Sequence, residues 1–434
     1  MEPEVSFILE RIRNDYLNSD GLLSMTFPPS QQHLLNDLDD YAPFISFLGD
    51  TGFACKQVSS AKRKVINGLI PVHDRIISWR QNEWLGAIYG MSLQCDNPDI
   101  TYMIRDGLEF IRKNLIDDGF IKAFFNIRSQ RSPAIFDSRT GALIETLLDV
   151  GSDYPLAKDV ALNCLAGLVE WAKKNNRYLV PNYIFYNSVV RNNLSRINPL
   201  RIPKKYIYPY AARFDAVADS LLMFPFGEEI KLTKQNTNLV HAFLRAYRLT
   251  GDRKYYGFVQ GWMKEFVLRM FSNGRCYSCP GRKLVKLSHN HPVIDIYLEV
   301  FRLTGSREAL EIAIQIIDFW VGSRFQNGLF PAFEGSFYSH LDGQTDMIVI
   351  LVKLSKLLNS DKYLTLAHDT LDSVIRNHKV DKGFSTYAYA DGRSTIDMVA
   401  IHPKYNALLL KAFIALENRD RILDEDFWGL LRDR

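Results

Sequence analysis

The sequence predicts an all-α fold, an (α/α)6 toroid of six or seven helical hairpins, and three observations carry that prediction. A polar-then-helical pattern returns at a near-fixed period. Asn273-Gly274 leads through Cys276 and Cys279 to His289, Asn290 and His291; 54 residues later Asn327-Gly328 leads to His340, Asp342, Gln344 and Asp346; about 55 further on, Lys382-Gly383-Phe384 leads to Asp397, His402 and Lys404. Self-similarity at a fixed period marks stacked supersecondary units. Helices also come in pairs divided by short stop-and-restart signals, and the first helix of each pair is the more apolar. Inner helices buried on all sides and outer helices with one charged face are what a closed ring of hairpins requires.

Each element follows from its own pattern. Glu4–Leu17 carries Val5, Ile8, Leu9, Ile12 and Tyr16 at helical spacing. Gln31–Leu48 and Ala54–Ile66 form a pair around Gly49-Asp50-Thr51-Gly52. Trp84, Leu85, Ile88, Tyr89 and Leu93 build a helix that stops at Asp96-Asn97-Pro98, with Ile100–Leu115 as its partner. Thr140–Val150 pairs with Tyr154–Lys173, Asn236–Leu249 with Arg253–Phe271, and His291–Leu303 with Arg307–Val321. Gln344–Leu358 pairs with Tyr363–Asn377, and Lys404–Leu416 opens a last pair with Glu425–Leu431. The junctions Thr250-Gly251-Asp252, Thr304-Gly305-Ser306 and Asn359-Ser360-Asp361 are helix stop-and-restart signals, Gly at a C′ position and then a Ser or Asp N-cap. Residues 175–234 break the beat with Pro181, Pro199, Pro203, Pro209 and Pro225, many tyrosines, and one helical stretch, Ala211–Met223. This is expected to be one degenerate hairpin plus a long functional rim loop, within a single toroid domain spanning residues 1–434.

Bulk composition excludes more than it selects. Apolar content of 47% with 24% charge is ordinary for a globular chain, and 53 basic against 49 acidic residues is too balanced for a nucleic-acid partner. No stretch reaches the ~18 apolar residues of a membrane span, and Met1-Glu2-Pro3-Glu4 resembles no secretory leader, so a cytoplasmic protein is expected. Of five cysteines, Cys55, Cys95 and Cys164 sit inside apolar helical patterns, where a free thiol behaves as a small hydrophobe. Cys276-x-x-Cys279 with His289-x-His291 has the ligand count of a zinc site, but the sister repeats have no cysteines there, and no metal or other cofactor is expected. Asp37-Leu38-Asp39-Asp40 has the spacing of a terpene-cyclase acid motif and reads better as the solvated front of a helix.

Chemistry gathers where outer helices hand over to inner ones. Residues 119–139, 274–291, 328–346 and 383–405 each run from a glycine turn through aromatics to a polar cluster at an inner-helix start. Helix N-termini favour anions and polar ligands through their free N–H groups. Five of nine histidines, His241, His289, His291, His340 and His402, fall at or within two turns of these starts, as ligands, bases or helix caps. Rim carboxylates include Asp40, Glu83, Asp137, Asp215, Glu334, Asp342, Asp346 and Asp397. Glycoside cleavage needs two carboxyls facing each other with unlike protonation. Glu334 and Asp342 are the preferred pair, because Phe330, Phe333, Phe337 and Tyr338 would raise a buried carboxyl.

The alternating helices, the junctions Leu-Thr-Gly-Asp-Arg-Lys-Tyr at 249–255 and Asn-Ser-Asp-Lys-Tyr-Leu at 359–364, and the aromatic rim segments resemble the six-hairpin glycosidase-like toroid superfamily. It includes glycoside hydrolases, uronate lyases, glucuronyl C5-epimerases and N-acylglucosamine 2-epimerases. The resemblance implies a carbohydrate-active enzyme working on a polar or acidic glycan, in glycoside hydrolase fashion, or as a lyase or uronate/sugar epimerase. A non-catalytic glycan- or peptide-binding scaffold is the alternative of a different class. On this view Glu334, Asp342, Asp346, His289, His291, His340 and Tyr405 are the catalytic candidates. Arg80, Arg139, Arg213 and Lys404 would bind anionic groups, Trp84, Tyr208, Tyr210 and Phe337 would stack on sugar rings, and Asn290 and Gln344 would bind substrate hydroxyls.

Overall fold

The computed structural model of the protein describes residues 2–24, 27, 29, 38–72, 74–132, 135–185, 236–280, 284–391 and 401–423. Fourteen α-helices lie among them: α1 (Glu2–Asn14), α2 (Leu38–Phe47), α3 (Thr51–Ala61), α4 (Gln81–Ser92), α5 (Pro98–Phe110), α6 (Gly141–Val150), α7 (Pro155–Asn175), α8 (Thr237–Thr250), α9 (Arg253–Met270), α10 (Leu287–Thr304), α11 (Arg307–Gly322), α12 (Leu341–Leu358), α13 (Asp361–His378) and α14 (Pro403–Glu417). Even-numbered helices pack side by side in order, and α14 packs back on α2, closing an inner ring of seven. Each odd-numbered helix from α3 to α13 packs outside the inner helix before it.

The seventh pair is closed by α1, which packs on α14 from the opposite end of the chain. The sequence shows α1 only as an isolated helix, because its partner is some 390 residues away. Glu425–Leu431, expected as the partner of α14, lies outside the described residues, as do Ala211–Met223 and most of the interrupting stretch.

Several helices begin before their expected starts, α3 at Thr51 rather than Ala54 among them, and two such starts bear on the rim. Helix α10 begins at Leu287 rather than His291, with Pro292 inside it. Proline normally sits in the first turn, where its missing N–H costs nothing, so the pattern pointed to a later start. Helix α12 begins at Leu341 rather than Gln344, which places Asp342 and Asp346 four apart within one helix.

The rim is built from short ribbons. Asp118-Gly119 and Asn273-Gly274 are left-handed at both positions (φ 47° and 73°, 50° and 75°), the geometry of a tight two-residue hairpin. At Gly274 a side chain is excluded twice over, since a Cβ would come within 2.5 Å of the Gln315 carbonyl oxygen. Segments before successive inner helices also pair: 75–77 with 124–126, 135–137 with 183–185, and 338–340 with 387–389.

One repeated contact fixes these segments to the ring. Near the start of five inner helices, an Asn or Gln amide clamps the backbone of a rim segment that precedes it in the chain. Gln81 accepts from Ile70 N–H and donates to its carbonyl, Asn236 does the same for Val180, Gln344 for Phe330 and Asn406 for Phe384, all within 2.7–3.0 Å. Asn290 donates to the Cys276 carbonyl at 2.9 Å and accepts from Trp320 Nε1 at 3.0 Å. A buried extended strand end has backbone groups that must be paired, and one primary amide can pair both at once. Asn290 and Gln344 are therefore structural, which corrects their assignment as substrate ligands.

Inner and outer layers meet through large rings, as where Phe243 of α8 stacks on Phe258 of α9 at 3.8 Å. Burial of each such ring contributes about 1.5–3 kcal/mol. The ring axis, however, is not apolar throughout. Over the C-terminal halves of α6, α8, α10 and α12, acids and bases such as Asp149 with Arg245 (2.7 Å) and Asp295 with Lys353 (2.7 Å) line a cavity of about 230 Å³. The sulfurs of Cys55 in α3 and Cys95 just beyond α4 are placed together, as a pair able to form a disulfide, where the sequence showed only apolar thiols; Cys164, Cys276 and Cys279 are buried and belong to no disulfide. Among the described residues no helix is long and apolar enough to cross a membrane.

Candidate functional site at the rim of the ring

Three clusters stand at the N-terminal ends of the inner helices. The first joins α10 and α12, where His291 Nε2 lies 3.0 Å from Asp346 Oδ2. His291 Nδ1 is buried without a hydrogen-bond partner among the described residues. One turn further along α10 lies Asp295. Burial pushes its carboxyl up, but Lys353, His241 and His291 outweigh that and leave it below the ordinary carboxylate value. Burial likewise holds the imidazole of His241, one turn into α8, below its ordinary value.

The second cluster joins α12 and α14. His340 caps α12, its Nδ1 accepting from Asp342 N–H at 3.3 Å, and its ring packs edge-on against Tyr387 and Tyr405. His402 also packs against Tyr405, with ring centroids 4.8 Å apart. Beside them Phe337 is 64% exposed and stacks on Tyr389 with an interplanar angle of 11°. Lys404 lies half-buried in the first turn of α14.

The third cluster joins α4 and α6 through the short turns that precede them, Ser78–Arg80 and Ser138–Thr140. The Arg80 and Arg139 guanidinium carbons lie 4.2 and 4.4 Å from the Trp79 ring centroid. Arg139 is bound by buried Asp137 through Nε at 3.0 Å. Glu83, buried in the first turn of α4, is 3.9 Å from Arg80. Going round the ring, the α4–α6 seam is separated from the α10–α12 seam by three inner helices one way and four the other, so the two face each other across the mouth.

Several sequence-predicted site residues do not gather here. Glu334 is exposed and bound to Arg275 at 2.8 Å, so the aromatic burial expected to raise its carboxyl is absent. Trp84 is fully buried with Nε1 donating to the Gly68 carbonyl, and cannot stack on a ligand. His289 is buried with Nδ1 at 2.7 Å from Ser278 Oγ. With His291 turned to Asp346, the two histidines do not converge with Cys276 and Cys279, and no group of three or more metal-ligating side chains exists among the described residues. Tyr208, Tyr210 and Arg213 lie outside the described residues.

Trp79 is the residue that sequence reasoning missed. Its signal was available, because Ser78 and Ser138 each precede an arginine-bearing turn at the head of neighbouring inner helices. The choice of Trp84 instead followed helical periodicity, which marks core rather than rim.

No protein-family model matches the chain, and no curated protein matches it in sequence. In structure it is similar to the alpha-1,2-mannosidase from Trichoderma reesei, with TM-score 0.63 and 10% identity over 95% of this chain and 92% of that one. It is similar also to a sugar epimerase from a ruminal bacterium, with TM-score 0.56 and 10% identity over 95% and 97%, and to a D-mannose isomerase, with TM-score 0.55 and 9% identity over 96% of each. Such identities speak to architecture alone. The chain has the six-hairpin glycosidase-like toroid fold that its repeats resemble, here with a seventh pair closed by the N-terminal helix.

Proposed function

We propose that the chain is a carbohydrate-active enzyme that moves protons on a glycan held in the mouth of the ring. The observation that carries this reading is the His291–Asp346 pair at 3.0 Å. A carboxylate on one imidazole nitrogen fixes the tautomer and stabilises the imidazolium, leaving the other nitrogen as the base. In His291 that other nitrogen, Nδ1, has no hydrogen-bond partner among the described residues and is buried in the seam, so substrate must enter between α10 and α12 to reach it. Exposed Phe337 on Tyr389, with Tyr405 and His340 beside them, gives the aromatic surface on which a sugar ring packs. The fold supports the substrate class, since the mannosidase, epimerase and isomerase it resembles are named for sugars.

Proton abstraction from a sugar carbon, leading to epimerisation or elimination, fits the dyad best. Hydrolysis is the second reading, favoured by Glu83 on the facing wall as a partner for Asp346 across the mouth. The cytoplasm is the proposed location; a reducing compartment would hold Cys55 and Cys95 as thiols and an oxidising one would bond them, so the state of this pair is the test. Thiol trapping in cells that found this pair oxidised would overturn that location.

The test of function is a panel of defined oligosaccharides followed by product mass analysis. A product of unchanged mass with altered chromatographic behaviour indicates epimerisation, a double bond absorbing in the ultraviolet indicates elimination, and a gain of water indicates hydrolysis. Binding without any product would make the chain a glycan-binding scaffold and contradict the proposal.

A further inference from the structure

We infer that the Arg80–Trp79–Arg139 cluster reads the negative charge of an acidic sugar, a residue bearing a carboxylate, and that Arg80 is the group that discriminates. The inference rests on the proposed carbohydrate function and narrows its substrate class.

The two arginines are not equivalent. Arg139 is bound to Asp137 through Nε and Nη2, and that carboxylate is itself 3% exposed, so the pair is neutral and held in place. Its planar guanidinium lies against one region of Trp79 and stiffens the indole. Arg80 lies against the same ring, yet the carboxylate nearest to it among the described residues, Glu83, is at 3.9 Å, beyond hydrogen-bond distance. Among the described residues no carboxylate is hydrogen-bonded to its donors, while about a third of its side chain is exposed at the mouth. A guanidinium fork oriented by an aromatic ring is pre-organised for bidentate recognition of a carboxylate. The cluster also faces the His291–Asp346 seam across the ring, so a sugar held by Arg80 reaches toward the groups proposed to move its protons.

The experiment is calorimetric binding of oligouronates and of the same oligosaccharides after carboxyl reduction, which removes the charge and keeps the ring. Wild type should bind the acidic member of a pair at least tenfold tighter, with a preference that shrinks as salt is raised. Arg80→Gln should bring the ratio to within about twofold, and Arg80→Lys should restore part of it, since a point charge replaces the fork. Circular dichroism of each variant verifies folding. Equal binding of acidic and reduced sugars by wild type, or an undiminished ratio in Arg80→Gln, would overturn the inference while leaving the carbohydrate reading standing. Failure to bind any glycan of either kind would overturn both.

Discussion

Nε2 of His291 and Oδ2 of Asp346 stand 3.0 Å apart, and this contact ties inner helix α10 to inner helix α12 at the rim. Below it the same seam carries Asp295 against Lys353 at 2.7 Å, so acid and base alternate down the axis. Lys353→Met should leave a largely buried carboxylate without its cation and cost about 2–3 kcal/mol, whereas the double variant Asp295→Leu with Lys353→Met should recover much of that loss. Chemical denaturation of the two single variants and the double closes the cycle. Additive losses would show that the pair is uncoupled.

The amide clamps predict stability effects without catalytic ones. Gln344→Leu removes both partners of the Phe330 backbone and leaves a buried N–H and a carbonyl unpaired, at about 1–3 kcal/mol each. Asn406→Leu should behave alike through Phe384. Both variants should melt early yet keep turnover per folded molecule. Loss of turnover at an unchanged melting temperature would instead return Gln344 to the substrate site.

His378 predicts acid sensitivity. It is fully buried, its Nδ1–H donating to the Ser385 carbonyl and its Nε2 accepting from Ser339 Oγ, each at 2.8 Å. Burial lowers its pKa from 6.5 to about 4. The unfolded chain then binds a proton in this window that the folded chain refuses. Stability from this group is complete above pH ~6.5 and falls as pH drops toward 4, by up to about 3 kcal/mol. Urea unfolding at pH 7 and pH 4.5 should show a smaller loss in His378→Gln than in wild type, and equal losses would exclude His378 as the source.

Glu334→Gln predicts little. Its partner Arg275 is an exposed side chain, and surface pairs of this kind contribute ~0–1 kcal/mol. Melting temperature and turnover should both stay near wild type. Abolished turnover in a folded variant would restore Glu334 as an acid.

The periodic parts of this fold were legible in the sequence because burial writes a period into it. The pairs α8–α9, α10–α11 and α12–α13 were placed within a few residues, and Thr250-Gly251-Asp252 marked its junction through a left-handed glycine (φ 69°). The α1–α14 pair was not legible, because no local pattern reports a contact between distant helices. At the rim, sequence found the right positions and could not sort their uses. Asn290 and Gln344 share the 54-residue period because each repeat needs its strand end clamped, a structural demand as regular as any catalytic one. Glu334 drew attention through its aromatic neighbours, but it sits in the tight turn closed by Ser336 N–H on the Phe333 carbonyl, and its side chain faces solvent.

The most direct test of the account is turnover by His291→Asn on the best substrate from the oligosaccharide panel, measured beside its melting temperature. Asn preserves a polar group toward Asp346 and removes the titrating nitrogen. Loss of a general base typically lowers rate by ~10²–10⁴, while loss of a structural hydrogen bond costs only about 1 kcal/mol. The account predicts a melting temperature within a few degrees of wild type and turnover reduced at least a hundredfold. A folded His291→Asn enzyme with turnover near wild type would contradict it.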